Sequence, residues 1–68
     1  MITYKPLWKT LIEKDMKKMD LVKDGTVSRG TLAKMSKNQK VSLEVVERIC
    51  KRLHCRVEEV IGYNEDLE

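Results

Sequence analysis

The sequence predicts an all-α fold in a single domain over residues 1–68, a compact bundle of five short helices with its core at about residues 6–62. Three observations support this prediction. Apolar residues form 41% of the chain and recur at helical spacing, and only one proline and three glycines interrupt it. Residues suited to helix ends separate the apolar segments, which favours short helices joined by short loops.

The first helix is expected at residues 6–15. Pro6 fits the first turn of a helix, where its missing N–H costs no hydrogen bond. Residues 1–5 favour extended structure and form either a disordered arm or a small edge strand. We interpret Trp8 as a packing residue. It belongs to an apolar stripe that comprises Leu7, Trp8, Leu11 and Ile12.

Two further helices, at residues 18–23 and about 28–37, are joined by a tight turn at 24–26. The turn has the sequence Asp-Gly-Thr, in which glycine tolerates a positive φ and aspartate can hydrogen-bond locally. Ser28 suits the N-cap of the second of these helices, and Asn38 suits the left-handed residue that ends it. The expected apolar members are Met19, Leu21 and Val22 in one helix and Leu32 and Met35 in the other.

The C-terminal part of the chain predicts two more helices. Ser42 caps the fourth, which runs to about His54, and the fifth spans residues 57–61 and closes at Gly62. Residues 64–68 are acidic and are expected to fray. The apolar stripe of the fourth helix comprises Leu43, Val46, Ile49, Cys50 and Leu53.

Positive charge is concentrated in the middle of the chain. The net charge is +3, but residues 28–41 contain four basic and no acidic residues, whereas residues 42–68 contain four basic and seven acidic ones. This asymmetry indicates that the middle segment contacts a polyanion. A solvated helix face that is basic by chance explains it equally well.

Several functional classes are not expected. No apolar run approaches the roughly 20 residues of a membrane span, and no stretch resembles a secretory signal, so we expect a cytoplasmic location. Cys50 and Cys55 are expected as reduced thiols, because a disulfide would close a very small loop at a helix end. Cys50 and His54 are spaced to share a metal ion, but a structural zinc site needs four ligands and the sequence has no second such pair. We therefore do not expect a zinc site, except one shared across a dimer. No catalytic constellation, cofactor site or small-molecule site is evident.

Residues 18–38 have the layout of a helix-turn-helix. In that motif the first helix crosses the phosphate backbone, and the second enters the major groove of DNA with its N-terminal end. The residues at that end are Ser28, Arg29, Gly30, Thr31 and Lys34. Gly30 has two interpretations, a close approach of the helix to DNA or a neutral glycine in the first helical turn.

The segment 27–35, Val-Ser-Arg-Gly-Thr-Leu-Ala-Lys-Met, resembles the recognition helix of the Cro/phage-repressor-like (Xre) helix-turn-helix family, which has the lambda-repressor-like fold. Residues 42–55 and 57–61 resemble its fourth and fifth helices. The resemblance covers about residues 7–62. Within the family, the sequence looks most similar to the short single-domain bacterial members. It implies base contacts from Ser28, Arg29, Thr31 and Lys34, and phosphate contacts from Lys17, Lys18, Lys37, Asn38 and Lys40.

Three positions differ from the family pattern. Lys18 stands where glutamine is common, Val22 stands where a small residue is usual, and Thr26 replaces a glycine that here occurs one position earlier, at Gly25. We expect these differences to affect the geometry of the turn rather than the fold.

The sequence therefore predicts sequence-specific binding of double-stranded DNA in transcriptional regulation. A homodimer is expected, because a domain of this size buries limited surface on DNA. The alternative is a protein-interaction module of the same fold, an antitoxin or a modulator of another regulator, that works through the acidic region 42–68. RNA binding is less favoured, since one tryptophan and two tyrosines offer little surface for base stacking.

Overall fold

Four α-helices, one 3₁₀ turn and a two-stranded sheet make up residues 1–65, the part of the chain that the computed structural model describes. In chain order they are β1 (Ile2–Thr3), α1 (Lys5–Glu13), α2 (Lys18–Lys23), α3 (Arg29–Ser36), α4 (Leu43–Leu53), the 3₁₀ turn (Val57–Glu59) and β2 (Gly62–Tyr63). None of the helices in this part is long and apolar enough to cross a membrane.

The expectation of a purely helical fold is wrong, because the two ends of the described chain form a sheet. Strands β1 and β2 are antiparallel, with Ile2 opposite Tyr63 and Thr3 opposite Gly62. The N-terminal residues are thus an edge strand rather than a disordered arm. Gly62 lies in β2 and does not close a helix. A Cβ there would lie 3.3 Å from the Cγ of Pro6, so glycine lets β2 approach the start of α1.

The expected fifth helix at residues 57–61 is a single 3₁₀ turn at Val57–Glu59. The backbone N–H of Arg56 donates to the Glu59 carboxylate at 2.8 Å, which starts the turn. The helix does not continue, because one turn gains few hydrogen bonds and the following residues pair with β1 instead. This pairing reaches Asn64, whose N–H donates to the carbonyl of Met1 at 2.8 Å. Fraying was expected from this residue onward, but residues 66–68 lie outside the described part.

The hydrophobic core receives side chains from all four α-helices and from the segments between them. Tyr4 is an unexpected member, with 1% of its surface exposed. Its hydroxyl is satisfied inside the fold, since it donates to the carbonyl of Gln39 at 2.7 Å. The buried apolar residues are Tyr4, Leu7, Leu11, Leu21, Val27, Leu32, Met35, Val45, Val46, Ile49, Leu53 and Val60.

Three residues predicted on apolar stripes are exposed. Ile12 is 73% exposed because α1 buries the face of Leu7 and Leu11, and the next residue points about 100° further round the helix. Leu43 is 78% exposed because it is the first residue of α4, ahead of the point where the helix meets the core. Met19 is also exposed. The expected ends of α4 are confirmed, with Ser42 as its N-cap and a left-handed residue at position 54.

Candidate nucleic-acid interface

The turn between α2 and α3 is formed by a left-handed glycine and a buried valine. Gly25 has a φ of +82°, a conformation that glycine adopts without steric cost. Two residues later the Val27 N–H donates to the carbonyl of Leu21 at 3.1 Å, and the Val27 side chain is buried. The predicted turn at residues 24–26 is confirmed, and moving the glycine one position earlier still supplies a left-handed residue.

Asp24 connects this turn to α4. One carboxylate oxygen accepts hydrogen bonds from the Thr26 N–H at 3.0 Å and from the Thr26 hydroxyl at 2.6 Å. The other oxygen accepts from the Arg52 Nε at 2.6 Å. The bonds from Thr26, and then that from Arg52, hold the pKa of Asp24 below its usual value. Thr26 therefore stabilises the turn that precedes α3.

Ser28 caps the N-terminus of α3, as predicted. Its Oγ accepts a hydrogen bond from the Thr31 N–H at 3.1 Å, and its hydroxyl donates to the Thr31 Oγ1 at 3.0 Å. The cap satisfies one of the free N–H groups at the helix start. The two hydroxyl groups predicted to read bases thus bond to each other at the exposed start of the helix.

The remaining predicted base-reading residues lie on the open face of α3. Arg29, Gly30 and Lys34 are exposed, while Leu32 and Met35 attach the opposite face to the core. Among the described residues outside the helix backbone, a Cβ at Gly30 would meet only the Ser28 Oγ, at 3.9 Å, an ordinary contact. The packing of the described residues therefore gives no reason for a glycine here.

Four exposed lysines were predicted to contact phosphates, two at the start of α2 and two after α3. Lys17 is the N-cap residue of α2, and its backbone N–H donates to the Asp20 carboxylate at 2.8 Å. Lys18 is the first residue of α2, and its Nζ lies 4.2 Å from the ring centroid of Trp8. Lys37 is the C-cap residue of α3, and Lys40 lies in the loop that follows.

Asn38, the fifth residue predicted to contact phosphate, has a structural role. It has a φ of 58°, the left-handed conformation expected at the end of α3. Its side-chain Oδ1 accepts a hydrogen bond from the Tyr4 N–H at 3.3 Å. With the bond from the Tyr4 hydroxyl to Gln39, this contact holds the loop after α3 against the start of α1.

Three side chains that shape this surface were not assigned to it by the sequence, namely Trp8, Arg52 and Tyr4. The contact between Asp24 and Thr26 does have a local signal, because an aspartate two residues before a threonine can accept a hydrogen bond from its backbone. No local signal exists for Arg52, which is 28 residues from its partner. The partner of Trp8 lies on a different helix, so periodicity within α1 does not reveal it.

Comparison with known proteins agrees with this geometry. The family model of the Cro/C1-type HTH DNA-binding domain matches residues 6–66. The crystal structure of the transcriptional regulator VanUg, in its form II, is similar with a TM-score of 0.85 and 44% sequence identity, over 90% of this chain and 81% of the other. The sequence has no significant match among curated proteins. Since the family model covers nearly the whole chain, this protein belongs to the Cro/C1-type helix-turn-helix DNA-binding domain family.

Proposed function

We propose that this protein regulates transcription by binding a specific double-stranded DNA sequence, with α3 in the major groove. The observation that carries the proposal is the open leading end of α3, which lies in the acid-free segment 28–41 and follows a turn fixed by Asp24. Membership of a DNA-binding family supports it. So does the similarity to VanUg, which is described as a transcriptional regulator.

Base reading is assigned to the exposed face of α3. Arg29 and Lys34 carry long donor side chains that suit the acceptor atoms of guanine in the major groove. Gly30 lets the helix backbone come close to the base edges. The hydroxyls of Ser28 and Thr31 form the helix cap, so each has to rotate, or share its bonds, to reach a base.

Phosphate binding is assigned to the residues on either side of α3. Lys17 and Lys18 contact the DNA backbone from the start of α2. Lys37 and Lys40 contact it beyond the end of α3, as does the side-chain nitrogen of Asn38, whose oxygen is bound to the Tyr4 N–H. Such contacts fix the position of α3 in the groove without reading sequence. They also make binding weaken as salt rises, because bound protein releases counterions from DNA.

We further propose that a homodimer binds an operator with two-fold symmetry. One recognition helix reads about four to six base pairs, and a single small module buries too little surface for tight specific binding. Two copies related by a dyad would read two half-sites about one helical turn apart.

The proposal is tested by selecting binding sites from random duplex DNA and then comparing variants on the selected and on a scrambled sequence. Arg29→Ala is expected to remove most of the preference for the selected sequence. Lys37→Ala is expected to weaken binding to both sequences and to reduce the salt dependence by about one counterion. Lys9→Ala is the matched control, because Lys9 is an exposed lysine on the side of α1 next to Glu58 and Glu59.

Equal losses for Arg29→Ala and Lys37→Ala on both sequences would contradict base reading by α3. Absence of binding to random duplex DNA at micromolar protein and low salt would contradict DNA binding altogether. That second result would favour the protein-interaction alternative.

A further inference from the structure

A tryptophan and a lysine on neighbouring helices form a cation–π contact at the candidate interface. The Nζ of Lys18 lies 4.2 Å from the ring centroid of Trp8, well within the distance at which a ring face attracts a cation. Trp8 is half-buried on α1 and packs against the core, whereas Lys18 is exposed at the start of α2. The core therefore fixes the position of the ring, and the ring in turn contacts an exposed lysine.

This contact orders the lysine without neutralising it. Among residues 1–65 Lys18 forms no salt bridge, and the nearby Asp20 carboxylate accepts from the backbone N–H of Lys17. A carboxylate partner would compete with a phosphate for the ammonium group. An aromatic ring face leaves the charge intact and leaves the side of the ammonium away from the ring free to donate hydrogen bonds.

A free lysine side chain samples many rotamers, and binding a phosphate has to restrict them. A lysine already held over a ring loses less freedom on binding. The ring therefore lowers the entropic cost of a phosphate contact from Lys18.

We infer that Trp8 is a positioning residue, which holds the Lys18 ammonium in place to bind a phosphate of the DNA backbone. This inference rests on the proposed function, since it takes DNA as the ligand. It assigns to Trp8 a role beyond packing and predicts that the effect of the ring on DNA binding acts through one lysine.

A double-mutant cycle on DNA affinity tests the inference, with Trp8→Leu, Lys18→Ala and the two combined. Affinity for random duplex DNA is measured by fluorescence anisotropy of labelled DNA at low salt. Trp8→Leu is expected to weaken binding about two- to fivefold when Lys18 is present, and to have no effect when Lys18→Ala is already present. Trp8→Phe keeps a ring face and is expected to retain most of the affinity. The matched cycle of Trp8→Leu with Lys9→Ala is expected to show no coupling.

Each result decides the matter. If Trp8→Leu weakens binding equally with and without Lys18, the ring acts on DNA directly or only through packing, and the inference is wrong. If the variants bind DNA but show no effect of Trp8→Leu, the inference fails while the proposed function stands. If no form of the protein binds DNA, both fail together.

Intrinsic fluorescence provides a second measurement that does not depend on the folding of Trp8→Leu. Trp8 is the only tryptophan of the chain, so emission reports on this ring alone. Lys18→Met is expected to change the emission of the DNA-free protein, and unlabelled duplex DNA is expected to shift the emission of the wild type but not of Lys18→Met. Emission that responds to neither the substitution nor DNA would overturn the inference.

Discussion

Replacing Gly30 by alanine separates the stability of the fold from its affinity for DNA. The substitution adds one methyl group at the second residue of α3, on its exposed face. Gly30 has no positive φ, and the added Cβ would contact only the Ser28 Oγ at 3.9 Å among the described residues outside the helix backbone. Alanine therefore fits the folded protein without strain.

The expected gain in the free energy of unfolding is about 0.4–1 kcal/mol, because alanine restricts the unfolded chain more than glycine does. A change of 1 kcal/mol moves the Tm of a domain of this size by about 4–8 °C, so we expect the Tm to rise by about 2–8 °C. The reverse change at an exposed position of the same helix, Ala33→Gly, is the control and is expected to lower stability by about 1 kcal/mol.

The same substitution is expected to weaken binding to the selected DNA sequence, because the methyl group occupies space that the proposed function assigns to close approach. Thermal unfolding by circular dichroism and DNA titration on the same preparations measure the two effects. A lower Tm would show that the fold itself needs this glycine. A higher Tm with unchanged affinity would show that Gly30 is a neutral residue of the first helical turn.

Three further predictions concern the contacts that hold α3 in place. Ser28→Ala removes the helix cap and is expected to lower the free energy of unfolding by about 1 kcal/mol, which denaturant titration measures, and Ser28→Asp is expected to restore most of it. Tyr4→Phe removes the hydrogen bond to the Gln39 carbonyl and is expected to lower the free energy of unfolding by about 0.5–1.5 kcal/mol. An unchanged Tm would show that this carbonyl bonds to water in the variant and that the Tyr4 hydroxyl adds no stability. Because the pKa of Asp24 is lowered in the folded protein, its contacts stabilise the fold above the usual carboxyl pKa, and this contribution is lost as the pH falls through the lowered value. Asp24→Asn is accordingly expected to be less stable than the wild type near neutral pH and to approach it in acid, and a difference that persists in acid would contradict this assignment.

The sequence predicted the helix-turn-helix closely, because local interactions determine it. The bounds of α2, the turn at residues 24–26 and the cap by Ser28 all agree with the structure. Each depends on groups within about four residues of one another, such as a hydroxyl and the N–H groups that follow it. The left-handed conformation of Asn38 was predictable for the same reason.

The sequence predicted which residues lie at the candidate site. It did not predict which of their side chains already form hydrogen bonds within the protein. The sequence placed five residues at the start of α3, and four of them are exposed, all but Thr31. It did not show that Ser28 and Thr31 bond to each other, or that Asn38 binds the Tyr4 backbone. A side chain that caps or bridges looks the same in a sequence as one that is free to bind a ligand.

Local sequence patterns predicted the four α-helices, the serine caps of α3 and α4, and the basic character of the segment that includes α3. Only the folded structure reveals the features whose partners lie far apart in the chain. These are the sheet that joins Ile2 to Tyr63, the ion pair of Asp24 with Arg52, and the burial of Tyr4. The physical reason is the range of the interactions. Caps and turns form between neighbours whatever the rest of the chain does, whereas distant pairs form only when packing has offset the entropy of bringing them together.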